Sequence, residues 1–329
     1  MRRIASTVAV MLAAIVVLAM ATPAHATFRG KNGRIAYVLQ RGNRWQIWTI
    51  RTDGTDRRQL TNVDGSAVAP DWSPDGRQIV FELDHASGPT GCSIMIMNRD
   101  GSDVRDLTGN RKSACDGDPS FTPNGRRIVF TAEGDETIRS MNLQGKDRRF
   151  ILRSGRRFGN GDFIVKSPRV SPDGGTVLFG VEQFVGNVGG MGANVKAVYA
   201  ARMNGTHLRT VVPYDLDAPA GDWAPNGNRI EFGDNAGYGA PQAVPHNVLT
   251  IRPNGTRLRF VTHYTGIDVG AGFGTYSPDG RWIVIKLMKL FDGALHYSLW
   301  RIHPDGTGMR LIARFKYNPG TRDWGPRPS

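Results

Sequence analysis

The residues of this 329-residue chain that could do chemistry are seven histidines, two cysteines and a pair of aspartates, Asp71 and Asp222, that stand directly before tryptophan. His246, His263 and His296 could offer three imidazoles to a metal, which would also need a carboxylate or amide to complete its shell. Cys92 and Cys115 show no Cys-x-x-Cys spacing and no Cys/His quartet, so a zinc site is not expected. In an exported chain with two cysteines a disulfide between them is the default, with a pair of free or buried thiols as the alternative. No Gly-x-Ser-x-Gly nucleophile elbow occurs. Neither a catalytic set, a metal nor a cofactor is therefore expected.

What could bring such residues together is a repeat. "DWSPDGRQIVF" (Asp71 to Phe81) recurs as "SFTPNGRRIVF", "RVSPDGGTVLF", "DWAPNGNRIEF" and "TYSPDGRWIVI". Proline presets φ at the first turn position, Asp or Asn bonds the local backbone, Gly takes positive φ, and an alternating apolar strand follows. A second phrase follows each copy, as in "IWTIRTDGTDRRQLT", with turn glycines at Gly54, Gly101, Gly145, Gly205, Gly255 and Gly306. The spacing suits four strands, A to D, per unit. The chain also ends in "DWGPRP", the first half of the phrase, and its repeats begin at "GKNGRIAYVL", the second half. Joined, they make a sixth copy. The expected fold is all-β, a six-bladed propeller of four-stranded antiparallel blades. One blade is shared between the termini, closed by Trp324 against the strand that starts at Gly33.

Residues 1–26 read as a cleaved signal peptide: basic "MRR", apolar "VAVMLAAIVVLAM", then Ala24-His25-Ala26 as a small-x-small cleavage site. Residues 27–329 are then one propeller domain, secreted or associated with the cell envelope, with no membrane span after cleavage. Net charge is +13, or +11 without the two leader arginines, and only eight of the basic residues are Lys. In the cytoplasm this balance would suggest nucleic acid. Outside it the available anions are cell-wall polymers, lipid head groups or acidic glycans. The arginines are scattered over every repeat, which also fits a plain solvated surface.

At the W-S-P-D-G copies the chain resembles the TolB-type propeller repeats, over residues 28 to 326. The pattern departs at Thr122, Val170 and Ala224, and Gly325 holds the usual Ser position. The resemblance implies a scaffold for protein contacts in the cell envelope. The repeats begin almost directly after the leader, which leaves no place for the additional N-terminal domain of whole TolB proteins. A hydrolase domain of the prolyl-oligopeptidase kind has no room either. A metal on His246, His263 and His296 would resemble the propeller lyases that degrade pectin fragments, but these histidines fall in loops away from the ring axis. Asp71 and Asp222 have a plainer role, hydrogen bonding neighbouring blades near the channel.

In an up-and-down blade the A–B and C–D turns share one face, and the B–C and D–A loops the other. The first face is uniformly short. On the second fall three long Gly-rich stretches, Arg153 to Lys166, Gly180 to Lys196 and Gly233 to Asn247, the usual form of a recognition surface. Arg156, Arg157, Phe158, Phe184, Met191, Tyr238 and His246 are the candidate binding residues there. The expectation is a monomeric, non-enzymatic scaffold binding an envelope protein or an anionic cell-wall polymer. The alternative is a polysaccharide lyase or glycosidase-like enzyme working in the central channel.

Overall fold

The structure, a computed structural model, describes residues 28–328 apart from 86–90, 110–114, 133–135, 156–157, 159–162, 189–190, 235–245, 267 and 321. Residues 1–26, read above as a signal peptide, lie outside the described residues. Strands β1 (Asn32–Arg41), β2 (Arg44–Ile50) and β3 (Arg58–Gln59) come first. Blade 2 is β4 (Gly65–Trp72), β5 (Gln78–His85), β6 (Cys92–Asn98) and β7 (Arg105–Asp106). Blade 3 is β8 (Gly117–Phe121), β9 (Arg127–Ala132), β10 (Thr137–Asn142) and β11 (Arg149–Arg153). Blade 4 is β12 (Phe163–Val170), β13 (Thr176–Val188), β14 (Met191–Arg202) and β15 (Arg209–Val212). Blade 5 is β16 (Gly221–Trp223), β17 (Ile230–Gly233), β18 (Val248–Ile251) and β19 (Arg259–Phe260). Blade 6 is β20 (Val269–Tyr276), β21 (Ile283–Phe291), β22 (Ala294–Ile302) and β23 (Arg310–Phe315). The last strand, β24 (Arg322–Pro326), pairs with β1 and makes blade 1 the shared one, in the order β24-β1-β2-β3.

The repeated turn residues act as expected. In the first A–B turn the Ser73 hydroxyl donates to Asp75 Oδ1 at 2.6 Å and accepts the Gln78 N–H at 2.9 Å, while Gly76 takes φ +66°. The C–D turn glycines do more than turn. Gly54, at φ +84°, lies so close to blade 6 that a Cβ would overlap the carbonyl oxygen of Ile312. Gly145 lies in the same way against Leu107 of blade 2. The glycine is thus required twice, by its backbone angle and by contact with the outer strand of the preceding blade.

The apolar core lies between blades. One cluster joins Ile35, Tyr37 and Trp324 of blade 1 to Val284, Leu299 and Phe315 of blade 6. The next joins Ala36, Val38 and Ile47 to Trp72, Ile79 and Phe81 of blade 2. Each sheet face is apolar toward its neighbour, so the ring buries both faces of every blade.

The structure corrects the reading of 180–196 as a Gly-rich loop. Strands β13 and β14 continue through it as a long hairpin, paired from Thr176↔Arg202 to Val188↔Met191. Glycine weakens a strand but does not forbid one, and a ladder already begun at Thr176 carries on through it.

Cys92 and Cys115 are joined, as expected, with a sequence separation of 23. In the chain-entropy picture a bridge of that span stabilises by about 3 kcal/mol. Reduction should lower the melting temperature by roughly 5–10 °C. Mass spectrometry of non-reduced peptides should show one bridged pair, and two free thiols there would contradict the bridge.

Candidate functional site: the central channel and the long-loop face

The innermost strand of each blade places one residue, the one before its aromatic or apolar anchor, at the ring axis. Around the ring these are Asp71, Ser120, Arg169, Asp222, Thr275 and Asp323. The carboxylates are used between blades. Asp323 Oδ2 accepts the Trp72 N–H and Asp71 Oδ2 the Phe121 N–H, each at 2.8 Å. Asp222 Oδ2 accepts from the Thr275 hydroxyl at 3.0 Å. A second tier lies nearer the long-loop face. Glu82 accepts the Asp118 N–H at 2.9 Å, Asp118 the Ser167 N–H at 3.0 Å, and Glu231 the Gly274 N–H at 2.6 Å.

These amides point the right way because strand A is bulged there. The register shifts between Val68 and Asp71, Gly117 and Ser120, Lys166 and Arg169, and Gly272 and Thr275. Ala69, Asp118 and Ser167 each sit at φ +49°. A bulge leaves one N–H out of its own ladder, free to bond the next blade.

A cavity of about 70 Å³ remains on the axis, bordered by Asp222, Glu231, Arg169, Arg322 and Asp323. It has room for a few waters and lies far below the hundreds of Å³ of a typical ligand pocket. Asp71 and Glu231 are buried, whereas Arg169, Asp222 and Asp323 keep some surface toward the cavity. Burial pushes the Glu231 carboxyl up to about 8, with the Gly274 amide and Arg322 opposing and Asp222 assisting. Burial likewise raises Asp323 to about 6, and raises Asp71 together with the charge of Asp323. Desolvation works against the Arg169 charge, but the fields of Asp71, Asp222 and Asp323 outweigh it and raise its pKa. Burial draws Arg322 down to about 10. The arrangement is a mixed-charge plug whose carboxylates already accept from backbone amides and from the Thr275 hydroxyl.

Asp71 and Asp222 thus take the inter-blade role expected of them. The sequence reading missed Arg169, Asp323, Glu231 and Arg322. Aligning the copies on their turn would have exposed the first two, because both occupy the column of Asp71. Glu231 and Arg322 carry no such signal.

The residues proposed for binding separate. Arg156, Arg157 and Tyr238 lie outside the described residues, as does the Met191 side chain. Phe158 is a correction. It is buried against Phe163, Phe179 and Tyr199 in the core of blade 4, where an apolar ring gains more from a sheet face than from solvent. Phe184 is 54% exposed on the β13–β14 hairpin. His246 is half-buried and donates from Nδ1 to the Asp234 carbonyl at 3.2 Å. His263 packs on Phe260 and His296 on Phe291, so the three histidines have separate surroundings. Glu82 with Cys92 and Cys115 is the one converging ligand-type group among the described residues, and both sulfurs belong to the disulfide.

Exposed apolar side chains gather on the long-loop face. Of the nine large ones among the described residues, Phe184, Leu290, Phe291, Leu295 and Tyr317 are there. Leu290, Phe291 and Leu295 form the tip of the β21–β22 hairpin, which extends to the pair Phe291↔Ala294.

The model of the TolB beta propeller domain matches residues 19–237. The Tol-Pal system protein TolB of Bordetella pertussis is 34% identical, with 35% of this chain and 36% of that one covered. The protein TolB homolog of Chlorobium luteolum is 31% identical over 44% of this chain and 30% of its own. The chain thus spans about a third of the length of these curated relatives. Among solved structures, TolB from Acinetobacter baumannii superposes with a TM-score of 0.65 at 19% identity, covering 90% of this chain and 67% of that one. At that identity the likeness speaks for the fold alone. The domain match spans more than half of the sequence and the structure supplies its six blades, so the chain belongs to the TolB beta propeller domain family.

Proposed function

We propose that this protein is an exported, non-catalytic propeller scaffold that binds an envelope protein through its long-loop face. The observation that carries this reading is the exposed apolar side chains on the extended hairpins of that face, Phe184 on the blade 4 hairpin and the cluster of Leu290, Phe291 and Leu295 on the blade 6 hairpin. Exposed apolar side chains concentrated on one face of a rigid scaffold mark an interaction surface. The leader read at 1–26 supports export, and the Bordetella pertussis relative is named for a Tol-Pal system. An oligogalacturonate lyase from Vibrio parahaemolyticus shares the fold, with a TM-score of 0.55 at 10% identity over 87% of this chain and 74% of that one. Against an enzyme of that kind here stand the small axial cavity and the commitment of Asp71, Asp222 and Asp323 to inter-blade bonds.

The test uses residues 27–329, immobilised and exposed to envelope extract. The double variant Phe291→Ser with Leu295→Ser should retain at least tenfold less of the captured protein. Its melting should be unchanged within about 0.5 kcal/mol, because both side chains are exposed. Capture that the substitutions leave intact would sink the reading. So would turnover of an acidic polysaccharide that Asp222→Asn abolishes.

A further inference from the structure

Blades 1 and 3 hold a small ion-pair device on the short-turn face, and blade 5 holds the same device with its sign changed. In blade 1, Arg34 Nη1 lies 2.7 Å from Asp56 Oδ2, Arg58 Nε 2.7 Å from Oδ1, and Arg51 Nε 3.4 Å from Oδ2. Arg34 also donates to the backbone carbonyl of Asp56. In blade 3, Arg127 and Arg149 lie 2.6 and 2.8 Å from Asp147 Oδ2. Arg127 donates to the Asp147 carbonyl at 2.6 Å.

The matching residues of blade 5 are Arg229 for Arg34, Arg252 for Arg51 and Arg259 for Arg58. Arg229 Nη1 donates to the carbonyl of Arg257 at 2.6 Å, so its guanidinium takes the same backbone anchor. The turn backbone is also the same, with φ +52° at Asp56, +51° at Asp147 and +56° at Arg257. Only the charge differs: where blades 1 and 3 carry an aspartate, blade 5 carries a fourth arginine. Among the described residues none of these four arginines forms an ion pair. A cavity of about 650 Å³ lies against Arg229, Arg252 and Arg259, and no carboxylate lines it. Burial and the charges of Arg259 and Arg252 hold the Arg229 pKa below its usual value.

We propose that blade 5 carries an anion site in which an external phosphate group occupies the place that the Asp56 carboxylate fills in blade 1. The blade 1 geometry shows that three arginines so placed grip one oxyanion. A carboxylate would leave most of the charge of four guanidiniums uncompensated. A phosphate offers a charge near −2 and three acceptor oxygens, which suit paired guanidinium donors. The site lies on the face opposite those exposed apolar side chains and does not depend on the binding role proposed for them.

The test is titration of residues 27–329 with inorganic phosphate by calorimetry, at constant ionic strength in chloride. Wild type should bind saturably. Arg257→Asp supplies the missing carboxylate from within and should weaken binding at least tenfold. Arg257→Asn tolerates the same positive φ and removes one cation without supplying an anion, so it should weaken binding less than Arg257→Asp does. Arg257→Asp should also melt above Arg257→Asn, and phosphate should no longer raise its melting temperature. Cosedimentation with phosphatidic acid vesicles, whose head group is a phosphomonoester, lost in Arg257→Asp, would assign the phosphate to a lipid head group. Phosphate binding without cosedimentation would assign it to a soluble ligand. No saturable binding above the chloride background, or equal binding by Arg257→Asp, would overturn the site.

Discussion

A chain that stops before Pro319 is expected to lose its cooperative thermal transition and to associate. The eleven residues removed include all of β24, the inner strand of blade 1, whose register sets Trp324 opposite Ile35 and Asp323 opposite Ala36. Trp324 is 1% exposed in the cluster that joins blade 6 to blade 1. Its loss alone costs about 3–5 kcal/mol. The ladder to β1 goes with it, as does the Asp323 acceptor of the Trp72 amide. Together these losses rival the whole stability of a typical domain, about 5–15 kcal/mol. The inner edge of β1 would then be bare, a template for pairing with another chain. The fit is close on both sides: a Cβ on Gly33 would stand 2.7 Å from the carbonyl oxygens of Gly325 and Pro326. Circular dichroism melting and size-exclusion chromatography decide the matter. A truncated protein that melts like its parent as a monomer would show that the ring holds without β24. Trp324→Ala is the graded version, folded but destabilised by the loss of that one side chain.

The ring was legible in the sequence because its rules are local. The "SPDG" and "DG" turns specify where strands end, and the two half-phrases at the termini complement each other. The channel was not legible, because Arg169 meets the fields of Asp71, Asp222 and Asp323 from three other blades, and no spacing along the chain reports that. Glycine misled in two ways. It suggested loops at 180–196, where a ladder continues, and it suggested exposure for Phe158, which covers Phe179. The β21–β22 hairpin was overlooked although its signal was present. Asp292 and Gly293, at φ +50° and +72°, are the Asp-Gly pair of a two-residue hairpin turn flanked by apolar strands. The four arginines of blade 5 were equally visible as letters. They acquired meaning only when the structure showed that Arg34, Arg51 and Arg58 surround a carboxylate at the matching place.

Replacing Arg169 with Leu should destabilise the propeller strongly at neutral pH and little in acid. The substitution keeps the aliphatic bulk of the side chain but removes a cation from the field of Asp71, Asp222 and Asp323. Breaking a buried charge arrangement on one side typically costs about 3–5 kcal/mol, since the remaining charges stay desolvated. The sign of the pH dependence follows from the carboxyls. Burial already raises Asp323 to about 6 and raises Asp71 above the ordinary aspartate range. A carboxyl whose folded pKa lies above its unfolded one binds more protons when folded, so stability falls as pH rises from the unfolded value through the folded one. Without Arg169 both pKa values rise further, and the falling segment deepens and extends to higher pH. Near pH 4 these carboxyls hold their protons in the folded variant, and the deficit against wild type should shrink to the lost hydrogen bond from Arg169 Nη1 to the Pro168 carbonyl. Urea denaturation at pH 4 and pH 7.5 measures both ends. Adding Asp323→Asn should recover part of the neutral-pH loss, because one of the stranded charges is then gone while the amide oxygen can still accept the Trp72 N–H. An equal deficit at both pH values would mean that Arg169 contributes packing and not charge, and the axial cluster would then not be the electrostatic lock of the ring.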